Sequence, residues 1–493
     1  MTACVLAVDQ STSGTKALLL DEEGRVHARA ARPHRQIYPR PGWVEHDAEE
    51  IYGNVLECLA EVSGAAPQLV RNAACLSLTN QRETFVVFER ATGRPLHNAV
   101  VWQCRRGDEV CRELAATGHA RRVSETTGLT LDSYFPAPKL RRLFADQPRL
   151  RAAVQSGDAV VGTIDAYLVH RLTGGRVFAT DHTNASRTLL FDITHLCWDE
   201  GLCELFGCPS KALPEVRASA TSFGDTDGGG ALPTRLSIRG VMGDSQAALF
   251  AQRAFATGSA KVTLGTGSSV LMNVGHAPRR SGSGIVTTIA WVHDGQPTYA
   301  FEGIINCTGA TVAWLRDQLA VLRSAEETES LATSVPDNGG VYLVPAFLGL
   351  GAPWWKQEAR GAIVGLTPHS TRAHVARAAL ESIAYQIRDV LDAMAAASGG
   401  PLVELSADGG MVANAFLVQF IADVARVEVR ASLVPELSAL GAALAGMLGT
   451  GVHASFEDLA HLDLGARCYS PAMPGERADA LHSAWKRAVV RTF

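Results

Sequence analysis

The feature that most constrains the fold of this chain is a sequence pattern that occurs twice. Near the start, an apolar run at residues 5–8 leads into a polar segment at 9–14, after which apolar residues resume. Just past the midpoint, residues 261–264 lead in the same way into residues 265–269. Each copy predicts a β-hairpin whose turn is rich in Gly, Ser and Thr. Two copies at these positions predict a duplicated domain whose two turns face one cleft.

Elsewhere in the chain, short β-branched runs alternate with stretches of helical periodicity, a pattern typical of α/β architecture. Asp47 followed by Glu50 predicts a capping box that opens one helix, and residues 374–394 carry apolar side chains at the spacing of another. A chain of 493 residues is expected to form about two to four folded units. We predict one domain over residues 1–250 and a second over residues 251–493.

Composition and charge exclude several classes of function. The formal net charge is -5, and no run of Lys or Arg forms a stripe that neutralises many phosphates, so we expect no nucleic-acid partner. Residues 437–456 are uncharged and long enough for a membrane span, but the Gly, Thr and His residues in their second half favour a short core helix. Ten scattered cysteines and an N-terminus without a recognisable signal peptide favour a reducing compartment, the cytoplasm.

The two turns are suited to binding phosphate. Small residues let the backbone approach phosphate oxygens closely, and backbone N–H groups and hydroxyls can donate hydrogen bonds to negative charge. Neither turn is a Walker A loop, and the sequence contains no dinucleotide-binding, zinc-protease or serine-hydrolase signature. Phosphoryl transfer from ATP further requires an aligned acceptor hydroxyl and a group that receives its proton.

Three charged residues could supply these parts, although each also has a purely structural interpretation. Asp9 ends the first strand, where its carboxylate could hold Mg2+ through water or could simply form the turn. Lys16 on the outgoing strand could place a cation near the transferred phosphate, or could be a solvated lysine. Asp244 follows a strand-like run and precedes a helical stretch, so it could be a catalytic base or a helix N-cap. The residue patterns alone leave these alternatives open.

A further polar group follows two strands in the first half of the chain. Arg82 can donate and Glu83 can accept hydrogen bonds from hydroxyls, and Trp102 could cover the carbon face of a polyol. A surface ion pair beside a buried tryptophan is the structural alternative.

Several longer segments, spread over nearly the whole chain, match the sequence motifs of one known family. They are residues 37–47, 80–84, 102–106, 183–188, 349–353 and 361–381. Through them the chain resembles the FGGY carbohydrate kinases, and within that family the glycerol kinases. The resemblance implies an α/β, two-domain actin-like ATPase (RNase H-like) duplicated fold with a cleft between the domains. It also implies ATP-dependent phosphorylation of a primary hydroxyl on a small polyol, with glycerol as the first candidate.

The resemblance also implies roles for individual residues. The expected polyol-binding positions are Arg82, Glu83, Trp102, Tyr134 and Asp244. Asp244 takes the position of the general base, and Asp9 takes that of the magnesium residue. The positions at which the family contacts nucleotide are Thr12, Ser13, Lys16, Gly265, Thr266, Gly309, Gly410 and Asn414. ATP and Mg2+ are the implied cofactors, and family analogy favours a homodimer or homotetramer.

The chain departs from the family pattern within the expected substrate-binding site. Ser245 stands where glycerol kinases usually carry Gln, and Ser269 where they carry an aromatic residue. Both changes widen the site, and the loss of an aromatic wall removes apolar contact worth on the order of 1 to 3 kcal/mol. A four- or five-carbon polyol or a ketose is therefore the second substrate hypothesis. On the nucleotide side, Lys16 replaces the usual Arg and Ala313 an expected Gln.

A third hypothesis, from a different class, is an actin-like ATPase or a silent sensor that uses the same fold. The polyol-side residues argue against it, because such a protein has no need of them. For the kinase hypotheses, closure of the two domains is expected, since water in the cleft would allow wasteful ATP hydrolysis.

Overall fold

Two mixed β-sheets flanked by helices organise the computed structural model, which describes residues 3–282 and 284–493. The strands are β1 (Cys4–Gln10), β2 (Gly14–Asp21), β3 (Val26–Pro33), β4 (Glu45–His46), β5 (Cys75–Asn80), β6 (Phe85–Glu89), β7 (Ala99–Val100), β8 (Ala159–Thr163), β9 (Ala179–Asp181), β10 (Phe191–Asp192), β11 (Cys197–Trp198), β12 (Glu215–Arg217), β13 (Asp225–Thr226), β14 (Leu236–Gly243), β15 (Ser259–Leu264), β16 (Ser268–Gly275), β17 (Val286–His293), β18 (Gln296–Ile305), β19 (Tyr342–Val344), β20 (Ala362–Val364), β21 (Glu404–Asp408), β22 (Val429–Ser432) and β23 (Ala466–Tyr469).

The helices surround these sheets and connect their strands. They are α1 (Ala48–Ala65), α2 (Pro67–Arg71), α3 (Asp108–Ala116), α4 (Ala120–Thr127), α5 (Pro136–Asp146), α6 (Pro148–Ser156), α7 (Ile164–Leu172), α8 (His182–Ala185), α9 (Glu200–Phe206), α10 (Asp244–Ala251), α11 (Gly309–Asp317), α12 (Glu327–Thr333), α13 (Arg372–Ser398), α14 (Ala415–Ala425), α15 (Leu437–Thr450), α16 (Phe456–Ala460) and α17 (Gly475–Val490). Short 3-10 turns occur at Ser210–Ala212, Gly228–Gly230 and Gly410–Ala413.

The two large sheets have the same core topology. In the first sheet, the order β3-β2-β1-β5-β14 joins an antiparallel meander to the parallel strands β1, β5 and β14. In the second sheet, the order β18-β16-β15-β21-β22 repeats this arrangement, with β15, β21 and β22 parallel. The hairpins β1–β2 and β15–β16 carry the two polar turns. The predicted two-domain α/β fold with a duplicated core is confirmed.

The first sheet is covered on both faces, because alternate residues of a strand point to opposite sides. Leu6 and Val8 pack with α1 on one side, whereas Val5 and Ala7 pack with α10 and α15 on the other. Helix α15 comes from near the end of the chain, yet it lies against β1, β5 and β14. The approach is close, since a Cβ atom on Gly441 of α15 would collide with the backbone of α10.

Helix α1 begins where the sequence predicts it. Asp47 is its N-cap, and the carboxylate of Asp47 accepts hydrogen bonds from the backbone N–H groups of Glu49 (2.9 Å) and Glu50 (3.3 Å). The reciprocal half of the predicted capping box is wrong. The Glu50 carboxylate accepts instead from the backbone N–H and guanidinium of Arg35, because that pairing adds opposite charge to a hydrogen bond.

The uncharged stretch near the C-terminus folds as a core helix, as predicted. Residues 437–450 form α15, which is largely buried and ends at Gly451 in the left-handed conformation (φ 76°). The other predicted helix, at residues 374–394, lies within α13. Across residues 3–282 and 284–493, no helix has the length and apolarity to cross a membrane.

The predicted domain boundary falls at α10, which leads from the first sheet into the second. Helix α15 lies after this boundary in the sequence but packs against the first sheet. A single cut in the chain therefore does not separate the residues that pack on one sheet from those that pack on the other. The division into residues 1–250 and 251–493 stays a prediction.

Candidate active site

The carboxyl ends of three parallel strands bring the predicted catalytic residues to one edge of the first sheet. Asp9 lies at the end of β1, Arg82 and Glu83 follow β5, and Asp244 follows β14 as the first residue of α10. The in-register pairing of β1, β5 and β14 holds these strand ends level. Residues that are far apart in sequence therefore share one site, as is common in open α/β sheets.

Asp244 is a half-buried carboxylate held in a fixed orientation. Its Oδ1 lies 3.2 Å from Nε of Arg82, and its side chain is 35% exposed. The same oxygen accepts from the backbone N–H of Ser245 at 2.6 Å. Thr183 fixes the preceding residue, because its hydroxyl accepts a hydrogen bond from the Gly243 N–H at 2.8 Å. The arrangement leaves an oriented carboxylate with about a third of its surface open.

Behind Asp244 lies a buried charge cluster made of Arg82, Glu83, Arg187 and Glu302. Arg82 Nη2 lies 2.7 Å from Glu302 Oε1, and Arg187 contacts both Glu83 and Glu302 at 2.5 Å. Each of the four side chains is at most 4% exposed. Glu302 belongs to β18, so the cluster joins the second sheet to the edge of the first sheet that carries Asp244.

Burial and ion pairing oppose each other in this cluster. Burial alone would raise the pKa of Glu302, but Arg187 and Arg82 hold that pKa at about 2. Burial also raises the pKa of Glu83, and its neighbours Arg187 and Arg82 counteract only part of the rise. Glu302 therefore stays ionised and anchors the two arginines.

Two aromatic residues stand beside the charge cluster. The rings of Trp102 and Tyr134 lie 5.3 Å apart between centroids, and each residue is half-buried. The indole N–H of Trp102 donates to the hydroxyl of Thr12 at 2.9 Å. Thr12, which the family resemblance places against nucleotide, therefore also ties the first turn to the aromatic pair.

Asp9 and Lys16 are cross-strand partners in the first hairpin. Asp9 is 6% exposed, and its Oδ1 has no hydrogen-bond partner among residues 3–282 and 284–493. Burial raises the pKa of Asp9 to about 7; Lys16 lowers it and the nearby carboxylate of Asp244 raises it further. Lys16 is half-buried and paired, since its ammonium lies 2.6 Å from a carboxylate oxygen of Glu436. An unpaired, buried carboxylate oxygen beside a turn that is predicted to bind phosphate fits the needs of a hydrated divalent cation.

The second turn meets two other backbone segments at the carboxyl edge of the second sheet. The Gly309 N–H donates to the Gly265 carbonyl at 2.9 Å, and a Cβ atom on Gly309 would lie 2.7 Å from that oxygen. A Cβ atom on Gly409 would lie 2.5 Å from the Leu264 carbonyl oxygen. Thr266 and Gly410 are exposed at this junction. Glycine is therefore required for the three segments to converge.

Asn414, next to this junction, caps helix α14. Its Oδ1 accepts from the backbone N–H of Leu417 at 2.9 Å, which caps α14, and its Nδ2 donates to Thr328 at 3.2 Å. Of the predicted nucleotide positions, Gly265 and Thr266 meet the Gly309 segment through backbone hydrogen bonds, Gly410 follows the glycine that meets the second turn, and Asn414 ends the 3-10 turn that begins at Gly410. Ser13 lies exposed on the tip of the first turn.

Each of the two substituted serines lies next to a charged residue of the site. Ser269 donates its hydroxyl hydrogen to Glu302 Oε1 at 2.9 Å, and Ser245 lies half-buried next to Asp244 on α10. Gln246, which the sequence did not single out, accepts from Arg82 at 3.1 Å. Arg187 and Glu302 were likewise not predicted as site residues, and only the former lies in a segment that matches the family.

Comparison with known proteins gives a consistent result over the full chain. A model of the FGGY family of carbohydrate kinases, N-terminal domain, matches residues 4–251, and the C-terminal domain model of the same family matches residues 260–450. The chain is 48% identical to a glycerol kinase of Symbiobacterium thermophilum, over 99% of this chain and 98% of that protein. It is 44% identical to glycerol kinase 1 of Thermotoga maritima, over 98% of each.

Solved structures agree with the sequence comparisons. The crystal structure of Plasmodium falciparum glycerol kinase with ADP matches with a TM-score of 0.94 and 34% identity, covering 100% of this chain and 98% of that one. A ligand-bound xylulose kinase from Lactobacillus acidophilus matches at 20% identity with a TM-score of 0.87, over 98% of this chain and 96% of that one, and shows the shared fold alone. The chain belongs to the FGGY family of carbohydrate kinases.

Proposed function

We propose that this kinase transfers the γ-phosphoryl group of ATP to a primary hydroxyl of a small polyol, with glycerol as the preferred acceptor and glycerol 3-phosphate as the product. The observation that carries the proposal is the half-exposed Asp244 carboxylate, held by Arg82 at the carboxyl edge of the first sheet. The glycerol kinases of Symbiobacterium thermophilum and Thermotoga maritima, which this chain matches over nearly its full length, support glycerol as the acceptor.

Asp244 acts as the general base in this scheme. As the acceptor oxygen bonds to the γ-phosphorus, the bond from that phosphorus to the bridging oxygen of ADP breaks, and the hydroxyl proton moves to Asp244. Arg82 and Glu83 bind the neighbouring hydroxyls, while Trp102 and Tyr134 cover the carbon face of the polyol. The charge cluster holds Arg82 in place, so little reorganisation is needed when substrate enters.

The remaining site residues serve the nucleotide. Asp9 would hold Mg2+ through water, and the ion would neutralise charge on the phosphates. Thr266 of the second turn offers its backbone N–H and its hydroxyl to the phosphates, and Gly265, with Gly309 at the start of α11, lets the phosphates approach the backbone closely. Thr12 and Ser13 offer hydroxyls and N–H groups from the first turn, and Lys16 on β2 places its ammonium near the phosphates. The other nucleotide contacts are those of Gly410 and Asn414.

Replacement of Gly410 by alanine is expected to raise the KM for ATP about tenfold, with kcat for the polyol reaction less affected. A Cβ atom at this position meets no protein atom within 4 Å, so the substitution leaves the fold intact and interferes only with a ligand that lies against the glycine. Steady-state kinetics with varied ATP measure the effect. The matched control is Gly64→Ala, whose Cβ also meets nothing and lies on the exposed face of α1. Equal ATP affinity in both variants contradicts the assignment.

A larger polyol or a ketose is the second candidate acceptor, and the small side chains of Ser245 and Ser269 favour it. Ser245 follows Asp244 on α10 and Ser269 donates to Glu302, and neither side chain fills the space that a longer one would take.

A substrate panel with ATP, from three to five carbons, distinguishes the two candidates. We expect kcat/KM on glycerol to exceed that on every other acceptor, measured as ADP release and confirmed by product analysis. A tetritol or pentulose that wins by about tenfold establishes the second candidate. Ser269→Phe serves as the matched variant, because an added ring should lower kcat/KM for the larger acceptors and not for glycerol. ADP release without any phosphorylated product contradicts both.

The setting of the enzyme is also part of the proposal. Buried thiols such as those of Cys58 and Cys75 suit a reducing compartment, which supports the cytoplasm. A homodimer or homotetramer is favoured by family analogy.

A further inference from the structure

Lys139 is a fully buried lysine close to the site. It lies on α5, and its ammonium donates to the carbonyl oxygens of Val101 (3.1 Å), Trp102 (3.2 Å) and Tyr134 (2.9 Å). An ammonium group has three N–H donors, and all three are used here. Two of the acceptors belong to Trp102 and Tyr134 themselves, although these residues lie on separate loops.

Keeping an ammonium at this position is costly. Burial lowers the pKa of Lys139 to about 7, while Cys104, Glu83 and Asp132 favour its charged form and Arg106 opposes it. Within the described parts of the chain, no carboxylate lies within 4 Å of it as an ion-pair partner. An apolar side chain of similar length would fill the space without this cost, so the charge serves the three carbonyl groups.

The two loops that Lys139 joins also meet at a more exposed point, where the guanidinium of Arg105 lies 3.3 Å from Asp132. Trp102 is held through its backbone N–H by the hydroxyl of Thr84 at 3.2 Å and through its indole by Thr12. Tyr134 donates its backbone N–H to Asp132 on its own loop at 2.8 Å. Lys139 is the buried link between the two loops, and it contacts the main-chain oxygens of Trp102 and Tyr134 themselves.

We propose that Lys139 is a positioning residue that sets the spacing of Trp102 and Tyr134 and thereby the affinity of the enzyme for its polyol. The inference rests on the proposed function, in which these two rings line the acceptor site. Lys139 acts from behind the rings, through their main-chain oxygens, and does not touch substrate.

The kinetic test uses Lys139→Met, with Lys139→Gln as a second variant that retains two N–H donors. We expect Lys139→Met to raise the KM for glycerol, or for the larger acceptor that the panel prefers, about tenfold. The kcat and the KM for ATP should change less than about twofold, because the base and the nucleotide loops are untouched. Lys139→Gln should lie between wild type and Lys139→Met. The exposed Lys211→Met is the control and should match wild type.

A double-mutant cycle separates positioning from general destabilisation. If Lys139 acts through the aromatic pair, Lys139→Met should add no further increase in KM to Trp102→Ala, whose ring is already absent. The inference is overturned if the increases in KM of the two single variants multiply in the double variant. It is also overturned if Lys139→Met lowers kcat and ATP affinity as much as it lowers polyol affinity.

A crystal structure of either Lys139 variant tests the spacing independently of the substrate. We expect the Trp102 and Tyr134 rings to move away from their 5.3 Å separation. An unchanged separation overturns the inference even where the panel confirms the kinase. A wild-type enzyme that phosphorylates no acceptor refutes the proposed function, and the ring spacing still decides the role of Lys139.

Discussion

Replacement of Asp244 by asparagine is expected to lower kcat for polyol phosphorylation about 10³-fold. The amide is isosteric and keeps an oxygen for the guanidinium of Arg82, which lies 3.2 Å from the carboxylate. It cannot accept the hydroxyl proton, so the loss reports the chemical step rather than the shape of the site. A coupled assay of ADP release, combined with a direct measurement of nucleotide binding, separates the two.

The nucleotide affinity of the Asp244→Asn variant should stay close to that of wild type, because the second turn and the Gly410 segment belong to the second sheet and Asp244 lies at the edge of the first. Asp294→Asn is the matched control. That aspartate is exposed and has a φ of 49°, a conformation that asparagine tolerates. Turnover of Asp244→Asn at the wild-type rate would exclude Asp244 as the base.

Replacement of Arg187 by methionine is expected to lower the free energy of unfolding by about 3 to 5 kcal/mol. The Arg187 side chain is completely buried and contacts both Glu83 and Glu302. Its removal leaves two buried carboxylates with one remaining guanidinium, that of Arg82. Urea denaturation followed by circular dichroism measures the loss as a lower transition midpoint.

Two further variants show whether unbalanced charge causes this loss. Adding Glu302→Gln to Arg187→Met removes one of the stranded carboxylates and should recover part of the midpoint. Arg94→Met removes an arginine of the exposed pair with Glu89 and should leave the midpoint unchanged. A shift for Arg187→Met no larger than that for Arg94→Met would mean that the cluster contributes little to stability.

The site residues that follow a recognisable strand could be predicted from the sequence. Asp9 ends a recognisable strand before a polar turn, and Asp244 stands between a strand and a helix. Hydrophobic periodicity and turn composition therefore place both residues at strand ends, where open α/β sheets build their sites. The duplicated sheet followed from the repetition of one hairpin pattern.

The partners of these residues could not be predicted in the same way. Glu302 lies within an apolar strand, and nothing in its neighbourhood indicates that it faces Arg82, a residue 220 positions earlier in the chain. Lys139 follows two prolines in an ordinary helical stretch, and its three acceptors are backbone oxygens, which have no sequence signature. Such pairings depend on how distant segments pack, so they become visible only in the folded molecule. The same holds for Glu50, which prefers Arg35 to its own helix terminus.

Helix α15 has a consequence for how the protein is made. Val5 and Ala7 leave the ribosome long before α15, the helix that covers part of their face of the first sheet. Until α15 emerges, this apolar surface is only partly covered and can attract other unfinished chains. We therefore expect chaperones, or transient contacts of the chain itself, to shield this surface until α15 has folded back.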